Sequence, residues 1–488
     1  MLTMTLSASS APPSGPLLSN GLRPPLQSTL PFILTDDSST RLPFLLFMRR
    51  EIDYVLRTVQ ERGIRFIRLW CTDVQGFLKS VSISPQELEH AFDEGLVFDG
   101  SAIDGYARLQ EADMLAIPNA STFQILPWRR SEQVARMFCD IANLEGEPFE
   151  GDPRQVLKRN LERAADLGYT FNVTPEIEFF YFADSGPEPK VLDRGGYFDQ
   201  TALDAAVEYR RKTINALEQM GIPIEHSHHE VAPSQHEIII RYMDALSMAD
   251  SIMSFRLVVK EIALESGIYA TFMPKPLEDY DGSAMHIHMS LFHDDENAFH
   301  NDDSPTGLSK TGEHFIAGLL HHASEITAVT NQWVNSYKRL IRGFEAPIYI
   351  TWGRNNQSAL VRIPTTKRGK ASAVRVEYRS PDSAANPYLA LSLLLAAGLE
   401  GIENEYPLPP EAPGNVFELT QQELAQAGIR RLPETLSQAL DAMEKSELAR
   451  RALGDHLFDW FLRNKRRECE AYTRHVSRFE LESYLPIL

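Results

Sequence analysis

The sequence predicts an α+β chain of two folded units behind a leader, with boundaries at 1–47, 48–150 and 151–488. Three observations predict it. Short β-patterned runs and brief helices fill the first unit, and a Gly-, Pro- and acid-rich stretch from Gly146 to Pro153 closes it. Segments with strand patterning, rich in carboxylates and histidines, then alternate with long helical stretches to about Glu403. From Thr420 onward the pattern is mainly helical.

The elements follow in order. Seven prolines (Pro12, Pro13, Pro16, Pro24, Pro25, Pro31, Pro43) sit among Ser, Leu and Thr in the first 47 residues, a composition that reads as disorder. Prolines interrupt every apolar stretch there, so a secretory signal is not expected. Ordered structure is expected from Arg49, where Ile52, Val55, Leu56 and Val59 keep helical spacing until Gly63. Phe66 to Thr72 and Phe77 to Ile83 predict two strands around a turn from Asp73 to Gly76. Asp152 and Pro153 form an N-cap and first-turn pair for a helix running to Gly168.

Composition narrows the class. Of 488 residues, 43% are hydrophobic and 24% charged, which is ordinary for a soluble globular protein. The formal net charge of -19 repels phosphate backbones, so nucleic acid is not an expected partner. Cys71, Cys139 and Cys469 lie far apart without a CxxC pair, which points to free thiols in a cytoplasmic setting. No apolar run reaches the roughly 18 residues a membrane span needs.

Four segments carry candidate chemistry. In Pro175-Glu176-Ile177-Glu178, strand alternation puts Glu176 and Glu178 on one face. In His228-His229-Glu230 to His236-Glu237, two acids flank a Pro-containing turn. His286, His288 and Ser290 share one strand face, as do Arg375, Glu377 and Arg379. Taken singly, these read as a solvated edge strand, satisfied histidines or a structural Arg–Glu–Arg ladder. Together, Glu176, Glu178, Glu230, Glu237 and Glu377 with His286 make an oxygen-dominated donor set that suits Mg²⁺ or Mn²⁺ better than zinc. Six such groups would serve two ions, and paired ions beside arginines suit phosphoryl transfer from ATP. Neither GxxxxGK[ST] nor GxGxxG occurs, so the nucleotide is not held by a P-loop or a Rossmann turn.

The chain resembles type I glutamine synthetases over residues 49 to 488. Phe98-Asp99-Gly100-Ser101, Pro175-Glu176-Ile177-Glu178, His228-His229-Glu230-Val231, Thr271 to Pro276, Asn335 to Leu340 and Asn386-Pro387-Tyr388 carry the likeness. The resemblance implies an N-terminal β-grasp domain, a C-terminal catalytic domain with antiparallel sheet and flanking helices, and a homo-dodecamer of two stacked hexameric rings. Active sites would lie between subunits, each borrowing the Asp99 segment of a neighbour. It implies an ATP-dependent, ADP-forming ligase that phosphorylates the γ-carboxylate of L-glutamate and joins it to ammonia or a small organic amine.

By position, Glu178, Glu230 and Glu237 would hold one metal ion, and Glu176, His286 and Glu377 the other. Arg339, Arg379, Gly282 and Tyr197 match the substrate site. His288, Ser290, Arg362 and Arg375 match nucleotide contacts. Asp99 and Glu345 would deprotonate the amine, with Arg339 and Arg362 completing the catalytic set. All six ligand types being present weighs against a non-catalytic structural or regulatory relative.

The sequence departs from the family pattern at four places. Ala102 stands for a serine beside the ammonium site, and Gln357 for an arginine facing the transferred phosphate, with Arg354 three positions earlier as a substitute. Asp281 replaces an asparagine in a substrate loop, and Ala284 a glycine. Ala102 raises γ-glutamylpolyamine synthetase as the alternative within the family. Phe417 fills the position of the tyrosine that regulated relatives adenylylate, leaving Tyr406 as the nearest hydroxyl.

Overall fold

The computed structural model describes residues 38–488 except 104, 106–112, 130–132, 201–203, 205, 305–306 and 367–369. The leader expected over 1–47 lies outside the described residues up to position 37. Helix α1 spans Ser38–Glu61, so it begins before the Arg49 that the periodicity predicts. Phe44 to Met48 contain no Gly, Pro or β-branched residue, so nothing in them opposes helix extension.

The first sheet has six strands: β1 (Phe66–Thr72), β2 (Leu78–Ile83), β3 (Leu96–Asp99), β4 (Asp113–Pro118), β5 (Gln124–Ile125) and β6 (Val134–Ala142). Their order is β2-β1-β6-β4-β3, with β5 beside β6, and β1 pairs β6 in parallel. Helix α1 and helix α2 (Leu88–Glu94) close one face over Val55, Val59, Ile67, Leu88 and Met137.

Helix α3 (Pro153–Asp166) opens the second unit, and the Asp152 carboxylate caps it by accepting from Arg154 N. The second sheet has ten strands: β7 (Thr170–Phe182), β8 (Ile224–His229), β9 (Gln235–Ile240), β10 (Met243–Asp244), β11 (Tyr269–Thr271), β12 (Met285–His293), β13 (Glu296–Asn297), β14 (Trp352–Arg354), β15 (Val361–Ile363) and β16 (Val376–Tyr378). The path runs β14-β15-β16-β12-β7-β9-β8. Helices α4 (Val207–Gln219), α5 (Ala245–Glu265), α6 (Lys310–Thr330), α7 (Ser336–Arg339) and α8 (Pro387–Glu403) surround it. The tail from Thr420 is helical, as expected, through Gln421–Gln426, Leu436–Met443, Glu447–Leu453, Asp455–Thr473 and Arg478–Tyr484.

Helices α6 and α8 pack at backbone contact. A Cβ on Gly318 would lie 2.1 Å from the Ala397 carbonyl, so only glycine permits that approach. The two units meet at the β1–β2 turn, where Asn386 Nδ2 donates to Val74 O and Gln332 Nε2 to Gln75 O. Arg154 ties the seam from within, donating to Asp140 on β6 and, at 2.9–3.3 Å, to Asp250 on α5. All three cysteines are free thiols.

Candidate active site

Strand register assembles the site. Directly opposite residues share a sheet face. Here Arg362 pairs Glu377, His288 pairs Glu377, His286 pairs Glu176, Glu178 pairs Glu237, and Glu237 pairs His228. Charged and imidazole side chains drawn from Glu176 through to Glu377 are thereby brought into one row across β15, β16, β12, β7, β9 and β8. Neighbouring strands lie about 4.8 Å apart, so adjacent carboxylates in that row are within reach of one shared cation.

Two candidate ligand groups result. Glu176, His286 and Glu377 offer atoms within 4.8 Å of one another, and so do His228, Glu230 and Glu237. In the first, His286 Nδ1 lies 3.2 Å from Glu176 Oε2 and 3.8 Å from Glu377 Oε1. In the second, His228 Nε2 lies 2.7 Å from Glu230 Oε1 and 3.6 Å from Glu237 Oε1. His228 was not among the residues expected there. Its signal was legible, since it sits two positions before Glu230 on the same side of the chain. Glu178 sits beside this group, its Oε2 accepting from Gln235 Nε2 and Ala284 N at 2.9 and 2.8 Å.

The electrostatics call for cations. Burial, then the charges of Glu176, Glu178, Glu230 and Glu377, drive the Glu237 carboxyl well above the usual range. Burial and the Glu230 charge push Glu178 up to about 8. Burial would raise Glu176 too, but hydrogen bonds with His286 and His288 hold it below its ordinary value. Five buried or half-buried carboxylates with one imidazole are a hard-oxygen set, which fits Mg²⁺ or Mn²⁺. Without a bound cation the carboxylates at Glu178 and Glu237 must take up protons or repel one another.

Basic groups border the row. Arg362 and Arg379 both donate to Glu377, at 2.7 and 2.5 Å. Arg339 is fully buried and donates to the Ser380 and Arg379 carbonyls, and burial lowers its pKa. Gly282 lies against it: a Cβ there would meet the Pro274 carbonyl at 2.1 Å and Arg339 Cγ at 3.2 Å. His288 Nε2 accepts or donates at 2.7 Å to Glu176, while Arg375 Nε donates to His288 Nδ1 at 3.2 Å. Arg375 as donor leaves Nδ1 the acceptor, so the His288 proton is on Nε2, facing Glu176. Ser290 is buried two residues along from His288.

A cleft of about 1080 Å³ opens beside the row, lined by Asp281, Arg342 to Glu345, Arg354 to Ser358, Arg362, Arg379 and Glu411. Glu345 N donates to Asp281 Oδ1 at 2.8 Å, and Lys275 Nζ lies 3.3 Å from the Phe344 ring centroid, so the 342–345 segment is latched to the 275–281 loop. Burial, then Asp281 and Glu230, raise the Glu345 carboxyl. Gln357 and Arg354 both face this cleft, and Arg354 is engaged by Glu411 through two nitrogens. Tyr197 is exposed, stacked on Phe198 at 4.2 Å and edge-on to His228 at 5.3 Å. Asp99 stands on the other sheet, where its described hydrogen bond is from Ser101 N.

The models of the glutamine synthetase catalytic domain and of the glutamine synthetase β-grasp domain match residues 150–484 and 63–144. The chain belongs to the glutamine synthetase family. Its six-stranded sheet is the β-grasp domain, and its ten-stranded sheet with flanking helices is the catalytic domain, the α+β architecture the sequence predicts. A glutamine synthetase of Mycolicibacterium smegmatis is 57% identical over 446 residues, covering 90% of this chain and 100% of the relative. One of Methanosarcina mazei is 48% identical over 440 residues, covering 89% and 97%. Among solved structures, a GmaS/ADP complex matches with a TM-score of 0.81 at 32% identity, over 88% of this chain and 99% of that one. No helix among the described residues is long and apolar enough to cross a membrane.

Proposed function

We propose that the chain joins the γ-carboxylate of L-glutamate to ammonia, using ATP and releasing ADP and phosphate. The row of carboxylates bordered by Arg339, Arg362 and Arg379 carries this reading, because it is built to gather cations and anions at one place. Its relatives are glutamine synthetases, and the GmaS structure holds ADP, which supports a nucleotide here.

Glu178, Glu230 and Glu237 would hold one divalent ion, with His228 as neighbour, and Glu176, His286 and Glu377 the other. When bound, Mg²⁺ or Mn²⁺ supplies neutralisation of phosphate charge. Arg339 and Arg379, with Gly282 allowing close approach, grip glutamate, and Tyr197 borders the entrance. Arg362, Arg375, His288 and Ser290 line the nucleotide side. The glutamate γ-oxygen attacks the terminal phosphorus of ATP, and the bond to ADP breaks. The amine then attacks the acyl carbon, phosphate leaves, and the ammonium proton passes to Asp99 or Glu345. The latched 342–345 segment keeps water from the acyl phosphate.

The family resemblance implies that Asp99 is supplied to each site by a neighbouring subunit, and on that reading the working unit is a homo-oligomer of two hexameric rings. One observation favours a second reading, a γ-glutamylpolyamine synthetase: alanine at position 102 lacks the hydroxyl that would bind ammonium. Phosphate release with ATP, glutamate and, in turn, ammonia, ethanolamine, putrescine and spermine tests both. Release with no amine in the panel would refute the ligase reading.

A further inference from the structure

Behind Glu230 lies a buried group that the reaction above does not use. Asp193, His229 and His236 place candidate ligand atoms within 4.8 Å of one another, a spacing that suits a metal ion. Arg210 decides against one. Its Nη1 lies 2.8 Å from His236 Nδ1 and can only donate, so the His236 proton sits on Nε2 and blocks a metal there. Asp204 pins Arg210 at 2.7 and 3.2 Å, so the arginine cannot turn away. What remains is a hydrogen-bonded brace.

Asp193 is its hub. The Oδ1 atom meets His229 Nε2 at 3.0 Å and accepts from Ser234 N at 2.8 Å and Gly195 N at 3.3 Å. On the opposite edge of its ring, His229 Nδ1 lies 2.6 Å from the Glu230 carbonyl oxygen, which only accepts. The bonding is reciprocal: Leu192 N and Asp193 N donate to Ser234 Oγ, and Phe198 N donates to His229 O. Two strained residues are held by these bonds, since Ser234 (φ 62°) and Phe198 (φ 61°) lie in the left-handed region. Such conformations persist only where the surroundings over-determine them. A Cβ on Gly195 would lie 2.6 Å from His229 Nε2, so the loop reaches the histidine only as glycine. The 192–198 loop, which carries Tyr197, is thereby stitched to the β8–β9 turn, which carries Glu230 and leads into the β9 strand of Glu237.

We propose that Asp193, acting through His229, is a positioning residue that aims Glu230 at a divalent cation and couples it to the Tyr197 loop. The inference rests on Glu230 being a cation ligand. Groups that orient metal ligands typically change affinity 10- to 100-fold when mutated. The test is titration of the metal-free full chain with Mn²⁺ alone, followed by electron paramagnetic resonance of the free ion, for wild type, Asp193→Asn and His229→Gln. Melting temperature without metal and KM for glutamate are measured beside it. The expected result is Mn²⁺ dissociation about 10- to 100-fold weaker in both variants, with a raised KM and a kcat largely restored at saturating Mn²⁺. A merely structural role would lower the metal-free melting temperature and leave Mn²⁺ affinity unchanged, and that result overturns the proposal. His229→Gln keeps both backbone bonds to Asp193, so it carries the same readout if Asp193→Asn does not fold. Absence of Mn²⁺ binding in wild type refutes the cation assignment itself, and this inference with it.

Discussion

Replacing Glu377 probes the site at its most connected point. The side chain is completely buried, accepts from Arg379 and Arg362 at 2.5 and 2.7 Å, and stands 3.8 Å from His286 Nδ1. Burial alone would raise its pKa, but the electrostatic pull of His288, Arg379 and His286 holds it below the ordinary value. Glu377→Ala strips both guanidinium partners, and breaking a buried pair costs about 3–5 kcal/mol, so loss of activity there could reflect loss of fold. Glu377→Gln is the cleaner change. It keeps the volume and one acceptor oxygen and turns an amide against the other guanidinium, costing about 1.5–3 kcal/mol of stability. Turnover should fall further than stability, by about 10²–10³-fold, the effect of removing one preorganised charge partner from a reacting site. The assay is ATP- and glutamate-dependent phosphate release at saturating Mg²⁺, with melting temperature and sedimentation to confirm that the variant is folded and assembled. Near-normal release from a folded Glu377→Gln protein would refute the ligand assignment.

Four further outcomes are expected. Gly282→Ala forces a methyl to 2.1 Å from the Pro274 carbonyl, and should cost about 1–3 kcal/mol and raise KM for glutamate; unchanged melting and KM would show that the loop is free to move. Chelation with EDTA should abolish phosphate release and Mn²⁺ or Mg²⁺ should restore it, whereas full activity after chelation would remove the metal reading. Ala102→Ser should shift kcat/KM towards ammonia and away from putrescine or spermine, by about 10- to 150-fold for one hydrogen bond to a charged group. Efficient ammonia use with no polyamine product in the parent chain would sink the amine alternative. Mass spectra of protein exposed to an adenylylating enzyme should show no modification, because Phe417 has no hydroxyl and Tyr406 packs against His321 at 4.7 Å between ring centroids; an adenylylated Tyr406 would contradict this.

The sequence by itself determined the elements and the inventory of the site. Period-two spacing put Glu176 with Glu178, and His286 with His288 and Ser290, on common strand faces, because a strand's alternation is a local property. Asp152 and Pro153 set the start of α3 for the same reason: capping depends on the next three residues only. The donor types pointed to a hard divalent cation, since hard oxygen ligands select hard cations wherever they sit.

Only the tertiary structure decided which groups meet. Register between strands separated by scores of residues places Glu176 against His286, Glu178 against Glu237 and Arg362 against Glu377, and no local pattern encodes that pairing. The same pairing brought His228 into the second ligand group. It also engaged Arg354 with Glu411, which defines the surroundings of Gln357. Asp193, His229 and His236 lie close enough together to suit a metal ion, yet the donor geometry of Arg210 makes them a brace. Proton placement on a buried imidazole depends on what faces each ring nitrogen, and that is a property of the packed chain.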